Sequence, residues 1–142
     1  MASVHREISI DAPPEHVWSA ARDIGALHTR LVPGFVVDTQ VEDGARIVTF
    51  GSGRVVRELI VDVDDSARRI AWAIVGTALT HYNASLQVFA EKGRTRAVWI
   101  ADLLPHELAP GISATIEQGL AVMKRAMEGS IERPSVAAGG VS

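Results

Sequence analysis

The side chains that most often carry chemistry are scattered along this sequence and form no recognisable catalytic motif. The histidines show no i, i+4 pair and no carboxylate cluster with metal-ligand spacing; they are His5, His16, His28, His81 and His106. The segment 51–53 (GSG) lacks the further glycine and the lysine of a nucleotide-binding loop, and no G-x-S-x-G elbow exists. The chain has no cysteine, which excludes thiolate ligands and nucleophiles. We therefore expect no metal and no cofactor.

Tyr82 is the best isolated candidate for a polar group in a binding site. It lies in a strand-like run from His81 to Phe89, and successive residues of a strand face opposite sides. One side of this run is apolar, namely Tyr82, Ala84, Leu86 and Val88, and the other carries Asn83, Ser85 and Gln87. We therefore expect Tyr82 to point inward, either as a hydrogen-bonding group in a pocket or as a core aromatic residue with a satisfied hydroxyl.

Two tryptophans are further candidates for the same interior. In the run 71–75, an inward Trp72 and Ile74 would leave Ala71, Ala73 and Val75 outside. In the last strand, one register places Ala97, Trp99, Ala101 and Leu103 inside, and the other places Val98, Ile100 and Asp102 inside. We favour the first register because it buries the larger side chain. Asp102 would then form a surface salt bridge or meet His106 or Arg30 at a cavity rim.

Strands and helices must position these residues, and the sequence pattern divides the chain into recognisable segments of each kind. Residues 4–10 read as a strand, and a proline-led short helix and a second short helix, 26–32, follow before Pro33-Gly34. From Phe35 to Leu104, five turn signals separate six strand-like runs of about 5–10 residues, as in an antiparallel meander. Together with the first strand, the predicted sheet has seven strands.

The C-terminal part predicts one long amphipathic helix. Apolar residues recur every three or four positions, at Ile112, Ile116, Leu120, Met123 and Met127, over about 17 residues ended by Gly129. This helix is the only element long enough to cover the sheet, and a curved sheet is not filled by one helix alone. We therefore predict an α+β fold with an internal cavity over residues 1–129. The unpatterned segment 130–142 is predicted to be a disordered tail.

Composition limits the classes of partner. Of the 142 residues, 47% are apolar and 22% charged, which is ordinary globular usage, and the formal net charge is −3. Mild acidity provides no basic patch for nucleic acid. The sequence contains no apolar stretch of about 18 residues and no signal-peptide pattern, so we expect no integral membrane segment and a cytoplasmic location.

Four segments resemble the START-like (SRPBCC) superfamily of helix-grip proteins, in its polyketide cyclase/dehydrase and lipid-transport branch. They are 8–18 (ISIDAPPEHVW), 63–69 (VDDSARR), 95–99 (TRAVW) and 123–129 (MKRAMEG). These segments are structural signatures, so the resemblance implies the helix-grip fold and an enclosed ligand more strongly than one reaction.

The resemblance also implies site residues. A tyrosine and an acidic residue often line the pocket of such proteins, and the matching positions are Tyr82 and Glu58. Together they would form an acid–base pair, although Glu58 could instead be an exposed residue beside Arg57. His28 and Arg30 lie in the short helical segment that forms one mouth of the cavity in this fold; the alternative is a solvated helix face. Ligand contacts are expected from His28, Arg30, Trp72, Ile74, Tyr82, Trp99, Leu120 and Met123.

Three functions remain open from the sequence. The first is binding of a small hydrophobic molecule such as a lipid, polyketide or aromatic metabolite. The second is a cofactor-independent cyclase, aromatase or dehydratase that uses Tyr82 and Glu58, with His28 or Arg30 assisting. The third is a homodimer formed through an apolar outer sheet face that carries Ala71, Ala73, Val75, Leu59 and Val61.

Overall fold

The computed structural model describes residues 2–131. The strands are β1 (Ala2–Ile10), β2 (Val36–Glu42), β3 (Ala45–Phe50), β4 (Val55–Asp64), β5 (Arg69–Val75), β6 (His81–Glu91) and β7 (Arg94–Leu104). The helices are α1 (Pro14–Ala21) and α2 (Ala109–Gly129), with a short π-type helical segment at Leu27–Leu31 and a 3-10 turn at His106–Leu108. The predicted α+β order of elements is confirmed.

All strands form one antiparallel sheet in the order β1-β7-β6-β5-β4-β3-β2. Strands β2 to β7 are consecutive hairpins, while β1 crosses over to pair with β7, Ala2 lying opposite Leu103. The turn signals of the sequence correspond to these hairpins. At the β6–β7 turn, Lys92 and Gly93 have φ values of 54° and 80°, as a two-residue type I′ turn requires. Register shifts in β2 and β4 interrupt the ladder and increase local bending.

Helix α2 covers the concave face of this sheet. Its buried side carries Ile116, Leu120, Met123 and Met127 of the predicted apolar stripe, together with Gly119, while the predicted Ile112 is half-buried. The helix begins three residues before the predicted Ile112, because Pro110 falls in its first turn, where a missing N–H costs no hydrogen bond. Exposed polar contacts also link α2 to β1: Arg6 Nε donates to Glu117 at 2.9 Å, and Lys124 Nζ to the Ser9 carbonyl at 2.8 Å.

The outer face of the sheet is apolar only in part. Val75 is 43% exposed and Val61 is 64% exposed, but Leu59 and Ala73 are half-buried and Ala71 is buried. Asp102 lies on this outer face, where Ser3 Oγ and Asn83 Nδ2 donate to its carboxylate at 2.6 and 3.1 Å. It therefore lies at the surface, as one sequence alternative held, but with hydrogen-bond donors in the place of the expected salt-bridge partner. The dimer remains a prediction.

Two further expectations concern the ends of the chain and membranes. The predicted tail, 130–142, lies outside the described residues except for its first two positions. Within residues 2–131, no helix combines the length and apolar character that crossing a membrane would require.

Candidate functional site

A cavity of about 220 Å³ lies between the concave face of the sheet and α2. Most of its lining is aliphatic, from strands β2 to β6, the Leu27–Leu31 segment and α2. The sequence-predicted residues Trp72, Ile74, Tyr82, Trp99, Met123 and Glu58 all lie in this lining. Strand alternation therefore located one side of the cavity correctly.

Two aromatic pairs form part of the wall. Trp72 and Trp99 pack edge to face with ring centroids 5.8 Å apart, and Phe35 and Phe50 do the same at 5.5 Å. Such pairs contribute about 0.5–1.5 kcal/mol beyond the burial of their area. The rings therefore give the cavity a defined shape. Gly119 of α2 makes room for them, because a Cβ there would lie only 3.0 Å from Trp99 Cζ3 and 3.1 Å from Phe35 Cε2.

A buried ion pair is the strongest polar feature of the lining. Arg46 on β3 and Glu58 on β4 lie directly opposite each other, with 2.8 Å between Arg46 Nε and Glu58 Oε1. They are only 3% and 5% exposed. The Arg46 guanidinium also lies 5.7 Å from the centroid of the Trp72 ring, and Nη1 donates to the Ile24 carbonyl at 3.4 Å. These contacts hold both charges at fixed positions in the cavity wall.

The pair determines what Glu58 can do. Burial raises the pKa of the Glu58 carboxyl above its ordinary value, and the Arg46 guanidinium opposes that rise. Because the side chain is already hydrogen-bonded to Arg46, it is less available as a base than the sequence suggested. The negative charge of Glu58 is largely balanced by the adjacent guanidinium of Arg46.

Tyr82 is 6% exposed, and burial raises the pKa of its hydroxyl well above the ordinary value. The negative charge of Glu58 contributes to the rise, and the neighbouring Trp99 indole N–H partly opposes it. The phenol therefore stays protonated at neutral pH. Its chemistry is that of a hydrogen-bond or proton donor.

Three predicted ligand-contacting residues lie outside the lining. His28 Nδ1 is 3.0 Å from Thr39 Oγ1, while Arg30 pairs with Asp23 at 3.0 Å and donates to Ser19 Oγ at 2.8 Å. Leu120 is buried in the core without lining the cavity. The structure places the side chains of His28 and Arg30 on local polar partners and outside the lining, and a ligand contact by either residue stays a prediction.

The most exposed lining residues show where the cavity reaches the surface. They are Ser52 and Arg54 at the β3–β4 turn and Thr115 on the first half of α2. By contrast, Leu27 and Leu31, which the short helical segment contributes to the lining, are buried. The mouth is therefore flanked by the β3–β4 turn and the start of α2.

Arg46 is the buried charged residue of the lining that sequence reasoning missed. The signal was present in the hairpin register: a turn centred on Ser52 pairs positions equidistant from it, and Arg46 and Glu58 are each six residues away. Alternation through Val48 also places Arg46 inward.

Across residues 2–131, no group of three or more histidine, aspartate or glutamate side chains is close enough to hold a metal ion.

Comparisons with known proteins agree with this architecture. The family model described as polyketide cyclase / dehydrase and lipid transport matches residues 1–133. A search of curated protein sequences finds no significant match.

Several solved structures share the fold. Protein XoxI from Bacillus cereus is 19% identical with a TM-score of 0.80, over 89% of this chain and 96% of that one. The di-domain ARO/CYC protein BexL from the BE-7585A biosynthetic pathway is 19% identical with a TM-score of 0.77, over 90% and 47%. Norcoclaurine synthase from Thalictrum flavum, in complex with dopamine and hydroxybenzaldehyde, is 15% identical with a TM-score of 0.69, over 93% and 89%. At these identities the likeness shows a common fold.

Proposed function

Because the chain belongs to the polyketide cyclase/dehydrase and lipid-transport family, we propose that its cavity binds one small hydrophobic molecule. The observation that carries the proposal is an apolar cavity of about 220 Å³, walled by two aromatic pairs and covered by α2. Concave, mostly apolar sites with a few placed polar groups are the usual form of small-molecule sites.

The size of the cavity favours a compact ligand. An apolar cavity of about 150 Å³ holds benzene, whereas sites for drug-sized ligands start at about 300 Å³. The volume here lies between the two, which suits a molecule of one or two rings better than a long acyl chain. The dopamine and hydroxybenzaldehyde bound by norcoclaurine synthase are one-ring compounds on the same fold, and this supports the proposed size class.

A matched pair of variants tests the proposal. Ile74 lines the cavity, and its neighbour Val75 faces outward and is 43% exposed. We expect thermal shift and native mass spectrometry with indane and naphthalene to detect a one-to-one complex. Ile74→Trp should abolish it by filling the cavity, while Val75→Trp should preserve it. Absence of any complex with the unmodified protein, or equal binding by both variants, would contradict the proposal.

An enzyme of the cyclase, aromatase or dehydratase type is the second candidate. It is favoured by the presence of Tyr82 and the Arg46–Glu58 pair in one cavity, and by the fold shared with the ARO/CYC protein BexL. A protonated phenol could donate to a substrate carbonyl as charge develops on its oxygen. Tyr82→Phe and Glu58→Gln should then lower kcat for an identified substrate. Unchanged turnover in both variants would refute these roles.

A further inference from the structure

Arg54 is an exposed cation at the mouth of the cavity, and it differs from the other charged groups of the lining. Those groups, Arg46 and Glu58, are buried and paired at 2.8 Å. Among residues 2–131, no side chain forms a hydrogen bond or an ion pair with the Arg54 guanidinium. The lining therefore carries one positive charge without a partner, although the chain as a whole has a net charge of −3.

The backbone of the turn that carries Arg54 is fixed to the cavity wall. The Phe50 N–H donates to the Arg54 carbonyl at 2.8 Å, and the Gly53 N–H donates to the Phe50 carbonyl at 2.8 Å. The Gly51 N–H donates to the Phe35 carbonyl at 2.9 Å. Because Phe35 and Phe50 form one of the aromatic pairs of the wall, the base of the Arg54 side chain has a defined position relative to a ring bound in the cavity.

Two hydroxyl groups of the lining add hydrogen-bond donors at the same end of the sheet. Ser52 Oγ accepts the Arg54 backbone N–H at 3.4 Å, and Thr77 Oγ1 accepts a backbone N–H two residues further on at 3.1 Å. Strands β4 and β5 are paired neighbours, and Thr77 follows β5 at the end of the sheet where Arg54 precedes β4. Neither hydroxyl donates to another group within the described part of the chain, so each can donate to a ligand.

These donors indicate the kind of ligand group that fits the mouth. Glu58 is the one carboxylate of the lining, and its hydrogen bond with Arg46 removes it as a competitor for Arg54. The planar guanidinium presents paired N–H groups that match the two oxygens of a carboxylate. A negative ligand group is therefore attracted to the mouth, whereas a positive one is repelled.

We propose that the cavity selects ring compounds that carry a carboxylate, with the ring held between the sheet and α2 and the carboxylate bound by Arg54 at the mouth. Arg54 is then a specificity-determining residue, and Ser52 and Thr77 supply further donors. The inference rests on the proposed function, because it requires a ring in the cavity. A carboxylate at the mouth keeps part of its hydration, which avoids the large cost of burying an ion.

Three probes of one ring system test the inference: naphthalene, 2-naphthoate and 2-naphthamide. The amide has nearly the shape of the acid without its charge, so the ratio of their affinities isolates the effect of charge. By calorimetry, we expect the unmodified protein to prefer naphthoate about tenfold and Arg54→Gln to remove this preference, as the loss of charge-assisted hydrogen bonds predicts. Arg54→Lys should keep part of the preference, and naphthalene should bind equally to all three proteins.

Arg57→Gln is the matched control. Arg57 lies outside the lining, where it pairs with Glu42 at 3.2 Å. Its replacement changes the net charge of the protein as much as Arg54→Gln does, so a long-range effect of charge would appear in both variants. We expect Arg57→Gln to leave the ratio of affinities unchanged.

A titration of bound naphthoate, labelled at its carboxyl carbon and followed by NMR, gives a readout that altered packing does not reproduce. Because Arg54 stabilises the ionised form, Arg54→Gln should raise the pKa of the bound carboxyl group. If naphthalene binds but naphthoate and naphthamide bind equally to the unmodified protein, or Arg54→Gln leaves their ratio unchanged, the inference is overturned while the proposed function stands. If none of the three probes binds, the proposed function fails and the inference fails with it.

Discussion

Replacing Arg46 with methionine leaves the Glu58 carboxylate buried without its partner. The two side chains are 3% and 5% exposed and 2.8 Å apart, so water cannot take over the role of the guanidinium. Removing one member of such a pair costs about 3–5 kcal/mol of the free energy of unfolding. Because small domains have only about 5–15 kcal/mol in total, Arg46→Met should be severely destabilised.

The loss should depend on pH in a definite direction. Burial already raises the pKa of Glu58, and Arg46 is the group that opposes the rise. In Arg46→Met the folded-state pKa therefore moves further above the unfolded value of about 4.3. A raised pKa stabilises the fold below the unfolded value, and this contribution is lost as pH rises through the folded-state pKa. The variant should be most stable at mildly acidic pH and weakest above neutrality.

Urea unfolding at pH 5 and pH 8 measures both effects. Two controls make the result specific. The exposed Arg57–Glu42 pair, 3.2 Å apart, should lose less than about 1 kcal/mol in Arg57→Met, as exposed pairs do. The double variant Arg46→Met, Glu58→Leu should recover most of the stability, because no buried charge remains. A loss in Arg46→Met that is equal at both pH values and is not recovered in the double variant would refute the reasoning.

Three further predictions concern other parts of the molecule. In Gly119→Ala the added Cβ presses the Trp99 and Phe35 rings towards the cavity, so we expect calorimetry to show at least tenfold weaker ligand binding. The free energy of unfolding should change by less than about 1 kcal/mol, because the higher helix propensity of alanine offsets the close contact. Tighter binding would contradict this prediction. Two side-chain donors lower the pKa of Asp65, so the ionised carboxylate stabilises the fold above the unfolded pKa of about 3.9, and this stabilisation is lost as pH falls through the folded-state pKa. Acid unfolding followed by circular dichroism should therefore depend less on pH in Asp65→Asn than in the unmodified protein. Identical unfolding curves would exclude the effect. For the predicted dimer, light scattering should find a dimer that Val75→Lys converts to a monomer; a monomeric unmodified protein at high concentration removes it.

The elements and the facing of most strands could be predicted because they depend on local signals. Alternation in β5 and β6 placed Trp72, Ile74 and Tyr82 correctly in the lining, since facing along a strand follows from the pleat alone. The stripe of α2 was equally readable from its helical spacing. Periodicity therefore predicts the walls of the cavity.

The polar details could not be read in the same way because they depend on partners distant in sequence. Arg46 is buried only because Glu58, across a hairpin, neutralises it, and an arginine considered alone is expected outside. Arg30 shows the opposite case, since Asp23 and Ser19 hold its side chain away from the cavity. Which charges enter a cavity is decided by pairing, and pairing requires the register of the strands.

The pairing of β1 with β7 has a consequence for how the protein folds. Strands β2 to β7 are joined by hairpins between chain neighbours, whereas β1 pairs with a strand about 100 residues away, with Ala2 opposite Leu103. Helix α2 then packs over the completed sheet. Contacts of long sequence separation form late because loop closure has to come first. We therefore expect pulsed hydrogen exchange to show protection in β5 to β7 before β1, and simultaneous protection would contradict this order. A folding intermediate with the hairpins complete would still have no enclosed cavity, so a ligand can act only on the finished fold and would slow its unfolding without guiding its assembly.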